Sequence, residues 1–321
     1  MFDAYFSSSL KPDPLLWAQH DPWLVALSLL VSMGASGVAL HLANLAREAG
    51  TPGRRQVALG TGALALGSGI WTMHYIGMLA FALCGQAGFD PWLTLLSVLP
   101  GLAAAWVALR LLQRETLSAR VLWASALAVG AGIGAMHYIG MAASELAQYM
   151  RYDLFGFVLS VGVAVLLAAL ALWVRFGLRG RLGLRTGRLT VLAGAVMGLA
   201  IAGMHYTGMA ALRFVEPIAQ INVPTATVPL QVTLSLAIAI VTLALTGLVV
   251  ALNASLRYRQ LYQQVQASEE RQRAIVDTAS DAVVMVDGEG RVRTFNPGAE
   301  RMFGWSAREI IGQPFGLLAP D

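Results

Sequence analysis

Long apolar stretches separated by short polar segments dominate the pattern of this 321-residue chain. Seven of them are long enough to cross about 30 Å of hydrocarbon at about 1.5 Å per helical residue. The pattern therefore predicts seven membrane-spanning helices, at residues 22–44, 56–81, 92–112, 121–144, 154–176, 189–212 and 230–253.

The pattern changes after the seventh stretch. Charged and polar residues surround spaced apolar ones over 256–275, which predicts a helix that leaves the membrane and pairs with a second copy of the chain. Residues 282–287 and 291–295 flank a glycine-containing turn and predict two paired strands. We therefore expect an extracytoplasmic tail (1–16), an all-α membrane domain of seven helices (17–255), a cytoplasmic linker helix (256–275) and the start of an α+β domain (276–321).

Composition agrees with an integral membrane protein whose solvent is the lipid bilayer. Hydrophobic residues make up 57% of the chain and charged residues 12%. All 22 basic residues except Lys11 are arginines, and those between the apolar stretches cluster after the first, third and fifth. The positive-inside rule then places the N-terminus outside and the C-terminus in the cytoplasm. This basicity fits a membrane surface, and we expect no nucleic-acid partner.

One hexapeptide recurs at the end of the second, fourth and sixth stretches. Its histidines are 63 and 68 residues apart, the length of a two-helix hairpin with its loops. The chain is therefore predicted to contain three tandem hairpins plus one further helix, with each hairpin carrying one copy near its outer end. The copies are Met73-His74-Tyr75-Ile76-Gly77-Met78, Met136-His137-Tyr138-Ile139-Gly140-Met141 and Met204-His205-Tyr206-Thr207-Gly208-Met209.

Histidine and methionine in this spacing are typical of a metal site. His74 and Met78 are four residues apart and share one helix face, as do the corresponding residues of the other copies. Three converging helices would present three imidazoles in one layer and three thioethers about one turn further out. Imidazole and thioether together favour copper, and the lack of a repeated carboxylate argues against Mg, Ca or Mn.

Tyr75, Tyr138 and Tyr206 follow the three histidines, and we expect their hydroxyls to bond the bound ligand or an imidazole. An alternative is that these tyrosines belong to an aromatic belt at the membrane interface.

Two other interpretations of the histidines remain open at this point. The repeat can be a duplicated packing motif, or two histidines can hold a haem, which leaves the third histidine and the methionines without a role. Retinal is excluded because its Schiff base needs a lysine in a span, and Lys11 lies in the tail.

With its three Met-His-Tyr motifs, the chain resembles the bacterial MHYT sensor domain over residues of about 17–255. The resemblance implies an inner-membrane sensor that binds copper near the outer face and responds to O2, CO or NO, or to redox or metal state. It also implies the candidate ligands Met73, His74, Met78, Met136, His137, Met141, Met204, His205 and Met209.

Residues of about 268–321 look like the start of a PAS domain, through the Asp287-Gly288 turn, Asn296-Pro297 and the Phe303-Gly304-Trp305 run. The resemblance implies relay to a cyclic-di-GMP enzyme or a histidine kinase, a domain that we expect outside these residues. Whether the protein is an enzyme stays open, because these residues contain no catalytic motif. The alternatives are a haem-binding membrane redox protein and a structural anchor for the PAS segment.

Overall fold

The computed structural model of the protein describes residues 5–7, 20–81, 88–114, 118–174, 186–215 and 228–318. The chain divides into two compact units, Met1–Ala251 and Leu252–Asp321. Most of the predicted tail (1–16) and the arginine-containing loop at 175–185 lie outside the described residues.

Seven long helices occur among the described residues, and each predicted span falls mainly within one of them. The seventh helix is much longer than its predicted span and also takes in the predicted linker helix at 256–275. The seven are α1 (Pro22–Glu48), α2 (Pro52–Ala80), α3 (Pro91–Leu111), α4 (Ala119–Ala142), α5 (Leu154–Leu172), α6 (Thr186–Ala210) and α7 (Val228–Thr278).

Six of these helices are long and apolar enough, by length and composition, to cross a membrane. The seventh described helix, α2, does not meet this criterion. It is rich in glycine and carries Arg54 and Arg55 in its first turn. From Gly69 to Ala80 nearly every residue of α2 is buried. A helix enclosed by other helices does not need an apolar surface towards lipid, which explains its lower hydropathy.

Helices α1 to α6 form a closed ring. Each helix contacts the next along the chain, α6 returns to α1, and α2, α4 and α6 also contact one another. Small residues permit this close packing, because a Cβ added at Gly67, Gly130 or Gly198 would collide with α3, α5 or α1 respectively. Each of these glycines lies seven residues before a motif histidine. The predicted arrangement of three tandem hairpins is therefore present in the structure.

In each hairpin an aspartate joins the two helices by hydrogen bonds at the end where the motif lies. Asp21, Asp90 and Asp153 precede α1, α3 and α5, and their carboxylates accept hydrogen bonds from backbone N–H groups of the first turn. Their own N–H groups donate across the hairpin, over 2.8 Å each, to the carbonyls of Ala80, Ala143 and Ala211. The odd and even helices of each pair are thus held in fixed register beside the motif.

Two short antiparallel strands, which the sequence pattern did not predict, also lie at the motif end of the ring. Strand β1 (Met150–Tyr152) pairs with β2 (Leu212–Phe214), and a 3-10 helix at Glu145–Tyr149 precedes β1. The pair joins the segments that follow α4 and α6.

The second unit contains the predicted pair of strands. Strand β3 (Val284–Val286) pairs antiparallel with β4 (Val292–Phe295). Two short helices follow, α8 (Pro297–Phe303) and α9 (Ala307–Ile310), and then a 3-10 helix at Phe315–Leu318. Its small core consists of Val292, Phe295, Ala299, Ile310 and Leu318.

Two polar side chains organise this unit. Asn296 caps α8 by accepting from the Ala299 N–H over 2.8 Å, and its amide donates to the Val276 carbonyl of α7 over 2.9 Å. Asp287 accepts from the backbone N–H groups of Arg291 and Glu289 in the turn between the strands, which lowers the pKa of its carboxyl. The unit therefore has the strand–turn–strand–helix order expected of the start of a PAS domain.

Candidate metal centre

The three motif histidines meet at the centre of the ring. His74 on α2, His137 on α4 and His205 on α6 are at most 1% exposed. Their Nδ1 atoms form a nearly equilateral triangle, with sides of 3.1 Å between His74 and His137 and 3.2 Å for the other two pairs. The sequence predicted one shared layer of imidazoles, and the structure has that layer.

Hydrogen bonding alone cannot satisfy this triangle. A ring nitrogen with a proton donates and one without a proton accepts, so among three nitrogens at least one pair is donor–donor or acceptor–acceptor. A single cation accepts the lone pairs of all three. From the sides of 3.1 and 3.2 Å, each Nδ1 lies about 1.8 Å from the centre, near the imidazole–metal distance of about 2.0 Å. The arrangement fits one small metal ion.

The other nitrogen of each imidazole, Nε2, carries the proton if the three Nδ1 atoms bind one ion. The Nε2 atoms of His74, His137 and His205 are buried and have no hydrogen-bond partner among the described residues. Leaving a buried polar atom unpaired costs about 1–3 kcal/mol. An ion at the centre of the triangle would not relieve this cost, so it is the arrangement of the three Nδ1 atoms that indicates an ion.

The motif methionines fall into two groups on the same three helices. Met73, Met136 and Met204 belong to the main core of the ring. Met78, Met141 and Met209, one turn beyond the histidines, belong to a second buried cluster. We call this second group the outer methionine cluster. It also contains Met150, Phe81, Leu146, Leu212 and Phe214.

The motif tyrosines contact the histidines through their rings. Each ring lies edge-on to the imidazole of the preceding residue, with centroids 4.8 to 5.0 Å apart. The hydroxyls of Tyr138 and Tyr206 donate to Ser160 and Ser28, over 2.8 and 3.0 Å, because each serine gives its own proton to a backbone carbonyl.

The predicted bond from hydroxyl to imidazole is therefore absent at Tyr138 and Tyr206. The reason is geometric, since a tyrosine next to a histidine points about 100° round the helix from it. The buried Tyr75 hydroxyl has no partner among the described residues.

Sequence reasoning missed these serines. Ser28, Ser97 and Ser160 each lie seven residues after the aspartate that caps α1, α3 or α5. The repeated spacing is visible in the segments at 21–28, 90–97 and 153–160, so a search for repeats in the odd helices would have found it. Met150 was also missed, because it lies outside the repeat.

The contact between the ring and α7 was also missed. Thr72 of α2 and Thr242 of α7 share a buried hydrogen bond of 2.6 Å. Thr72 is two residues before His74, and the equivalent positions in the other copies are Ala135 and Gly203. This bond is therefore specific to the first hairpin.

Apolar contacts accompany this bond. Ile76 of the first motif packs in one cluster with Ala239 of α7 and Leu24 of α1. The buried positions of α7 recur every three or four residues, which is typical of one helix face. They are Ala239, Thr242, Thr246, Val249 and Asn253.

Comparison with known proteins assigns both units. Three matches to the MHYT family, described as "Bacterial signalling protein N terminal repeat", cover residues 67–125, 130–188 and 198–263. A match to a PAS domain covers residues 270–321. No solved structure matches the chain.

Several curated proteins are similar to the chain. The "Bifunctional diguanylate cyclase/cyclic di-GMP phosphodiesterase MucR" of Pseudomonas aeruginosa is 44% identical over 205 residues, 62% of this chain and 29% of MucR. The "Cyclic di-GMP phosphodiesterase NbdA" of the same species is 37% identical over 195 residues, 60% of this chain and 24% of NbdA. The "Signaling protein YkoW" of Bacillus subtilis is 27% identical over 300 residues, 90% of this chain and 36% of YkoW.

The chain thus spans roughly a quarter to a third of the length of these relatives, between 24% and 36%. Family matches cover more than half of its own length. The chain belongs to the MHYT family of bacterial signalling proteins and carries a PAS domain after its three repeats.

Proposed function

We propose that this protein is a membrane sensor in which the three histidines hold one copper ion. A diatomic gas (O2, CO or NO), or a change in the redox state of the metal, is the signal. The observation that carries the proposal is the triangle of buried Nδ1 atoms with sides of 3.1 to 3.2 Å.

The geometry favours copper over haem. A haem between two histidines requires the porphyrin plane to separate two axial nitrogens. Here every pair of Nδ1 atoms is at hydrogen-bonding distance, and the third imidazole occupies the space beside each pair. Among small ions, a neighbouring layer of buried thioethers at Met78, Met141 and Met209 favours Cu(I).

The chain's own residues set the properties of this site. The three imidazoles supply neutral nitrogen ligands, and the outer methionine cluster excludes water and supplies soft sulfur atoms. When bound, copper would supply a coordination position for a diatomic gas and a Cu(I)/Cu(II) couple. Met73, Met136 and Met204 remain candidate ligands from the motif and lie in the main core.

The tyrosines then have a supporting role. Because Tyr138 and Tyr206 are bonded to serines of α5 and α1, their rings are held edge-on to His137 and His205. Ring contacts of this kind fix the orientation of each imidazole. We assign Tyr75 the same role through its ring alone.

Transmission begins at the contact between α2 and α7. The Thr72–Thr242 bond lies two residues from His74, and α7 continues to Thr278. A ligand shifts an equilibrium only if it binds one arrangement of helices better than the other. A displacement of α2 at His74 would act on Thr242 through Thr72.

The output is proposed from the relatives. MucR and NbdA carry cyclic-di-GMP activities in their names, and this chain matches 29% and 24% of their lengths. We therefore propose relay through the PAS segment to a cyclic-di-GMP enzyme, with a histidine kinase as the alternative output. We also propose that the linker helix and the PAS segment pair two copies of the chain.

The orientation proposed is the inner membrane of a bacterium with the motif end outside. Arg47, Arg54, Arg110 and Arg114 lie at helix ends opposite the motifs, as the positive-inside rule requires of the cytoplasmic side.

A test needs the full chain with its output, reconstituted in liposomes and loaded with Cu(I). We expect CO, NO or O2 to change the rate of cyclic-di-GMP synthesis or hydrolysis in the parent protein. The variant with His74→Ala, His137→Ala and His205→Ala should not respond to any of these gases. An equal response in both proteins would contradict the sensor role of the triad and leave the membrane domain as an anchor.

A further inference from the structure

The glycine at the fifth position of each motif faces an imidazole that belongs to a different hairpin. A Cβ added at Gly208 would lie 2.7 Å from Nε2 of His137. One added at Gly140 would lie 2.8 Å from Cδ2 of His74 and closer still to its Nε2. The same holds at Gly77, where Cδ2 of His205 is 2.9 Å away and Nε2 is nearer.

These contacts run in one cyclic order. His74 of the first hairpin packs against the motif glycine of the second hairpin. His137 of the second packs against the glycine of the third, and His205 of the third packs against the glycine of the first. None of the three imidazoles lies on the glycine of its own motif. The three histidines therefore connect the three hairpins. Each of α2, α4 and α6 packs its own imidazole against a second motif helix and contacts the imidazole of the third with its glycine.

The receiving glycines explain how the rings are oriented. At each one the atom nearest to an added Cβ is Nε2, which is also the nitrogen without a hydrogen-bond partner among the described residues. An Nε2 pressed against helix backbone has no room for an ion. The Nδ1 side of every ring is consequently turned to the centre of the triangle.

We infer that Gly77, Gly140 and Gly208 are positioning residues, each the seat for the imidazole of another hairpin. Together the three seats turn Nδ1, rather than Nε2, of each imidazole to the centre and limit the site to one small ion. The contacts of the three glycines follow from the geometry, and the presence of an ion at the centre rests on the proposed function.

Other glycines of the ring have a different environment. The nearest atoms at Gly67 and Gly130 belong to an apolar residue of a neighbouring odd helix, as expected for close helix packing. At Gly77 and Gly140 all three nearest atoms belong to one imidazole. A methyl group there would have to displace a ring that is enclosed by two other imidazoles, and the triangle would open.

The pairing can be tested without any metal, by thermal unfolding of the detergent-purified full chain. Gly77→Ala should lower the Tm of the parent by about 5 °C, as expected for one extra methyl in a packed core. In a His205→Ala background the same change should not lower the Tm, because the space has been vacated. In a His74→Ala background it should still lower the Tm, but by less than in the parent, because His205 still lies on Gly77 while one of its two neighbouring imidazoles is gone.

Two control substitutions separate this effect from general packing. Gly162→Ala on α5 adds a methyl that meets no atom of the described residues within 4 Å, and alanine has the higher helix propensity, so this change should not lower the Tm. Gly67→Ala should lower it in every histidine background. An equal loss from Gly77→Ala in all backgrounds, or no loss in the parent, would overturn the assignment. If a His205 variant cannot be purified, Gly208→Ala with His137→Ala gives the equivalent cycle.

A second readout addresses the ion. In a competition titration with Cu(I), we expect Gly77→Ala to weaken binding at least about tenfold, and Gly162→Ala to leave it unchanged. Equal affinity in Gly77→Ala and the parent would contradict the positioning role. A parent that binds no copper would remove the proposed function, while the thermal cycle would still test the seats.

Discussion

The ring of α1 to α6 and the helix α7 show two ways of building a membrane helix into the same unit. In the ring two kinds of contact occur three times each: the aspartate that joins the two helices of each hairpin, and the imidazole at the centre. Helix α7 has no counterpart and contacts the first hairpin through one buried face. In the most apolar window of the ring helices α1 and α3 to α6, between 28% and 61% of residues are buried, against 22% in α7.

This difference indicates a division of roles. Repeated contacts around a closed ring over-determine the geometry of a site, as a metal centre requires. A helix held on one side can shift at low energetic cost, as a signal-carrying element requires. Substitutions in the ring should therefore act on the site and its stability, and substitutions on the contact face of α7 should act on the output.

The largest effect is expected from single histidine variants. Because the three imidazoles are equivalent in the structure, His74→Ala, His137→Ala and His205→Ala should each abolish stoichiometric copper binding. Metal analysis of the purified proteins measures this. His41→Ala, an exposed histidine on α1, is the control and should retain copper. If any one of the three variants retained full copper, the three histidines would not be equivalent ligands.

The next effect concerns the choice of metal. Replacing Met78, Met141 and Met209 by leucine keeps the volume of the outer methionine cluster and removes its thioethers. We expect Cu(I) affinity to fall about tenfold or more and Zn(II) affinity to stay within about twofold, because sulfur prefers Cu(I). Met33→Leu on α1 is the matched control. If the triple leucine variant bound Cu(I) as tightly as the parent, the three methionines would serve only in packing.

The link between the two regions is tested at α7. Thr242→Val removes the bond to Thr72 at nearly constant volume. The gas-induced change in output of the liposome assay should become smaller, while copper affinity stays within about twofold of the parent. Thr246→Val, one turn along the same face, is the control. A full response in Thr242→Val would show that the signal leaves the ring by another contact.

The smallest effect separates the tyrosines. Tyr138→Phe loses the hydrogen bond to Ser160 and should destabilise the protein by about 1 kcal/mol. Tyr75→Phe removes a hydroxyl that has no partner among the described residues and should not destabilise it. Thermal unfolding of the two variants beside the parent gives the comparison directly. If Tyr138→Phe and Tyr75→Phe lowered the stability equally, the hydrogen bond from Tyr138 to Ser160 would not contribute to stability.

The centre of the ring was predictable from sequence because its information is repeated. Three copies at spacings of 63 and 68 residues indicate three equivalent helices, and a polar residue in an apolar helix must face its copies or be left unsatisfied in lipid. The two strands of the second unit were predictable for a different reason. Alternation around a glycine turn is a local signal, and the structure has both strands.

Features that depend on distant pairs were not predictable in this way. The Thr72–Thr242 bond joins residues 170 positions apart, and nothing in the local pattern selects that partner. The hydroxyls of Tyr138 and Tyr206 bond serines of a neighbouring helix because of how the helices are rotated, which one sequence does not specify. The pairing of β1 with β2 likewise depends on where α4 and α6 end.

The most direct test is the metal content of the detergent-purified protein beside the variant with His74→Ala, His137→Ala and His205→Ala. We expect one copper ion per chain in the parent after loading with Cu(I), and none in the variant, with no Soret band in either. Equal copper in both proteins, or none in the parent, would show that the triangle of Nδ1 atoms is not a copper site.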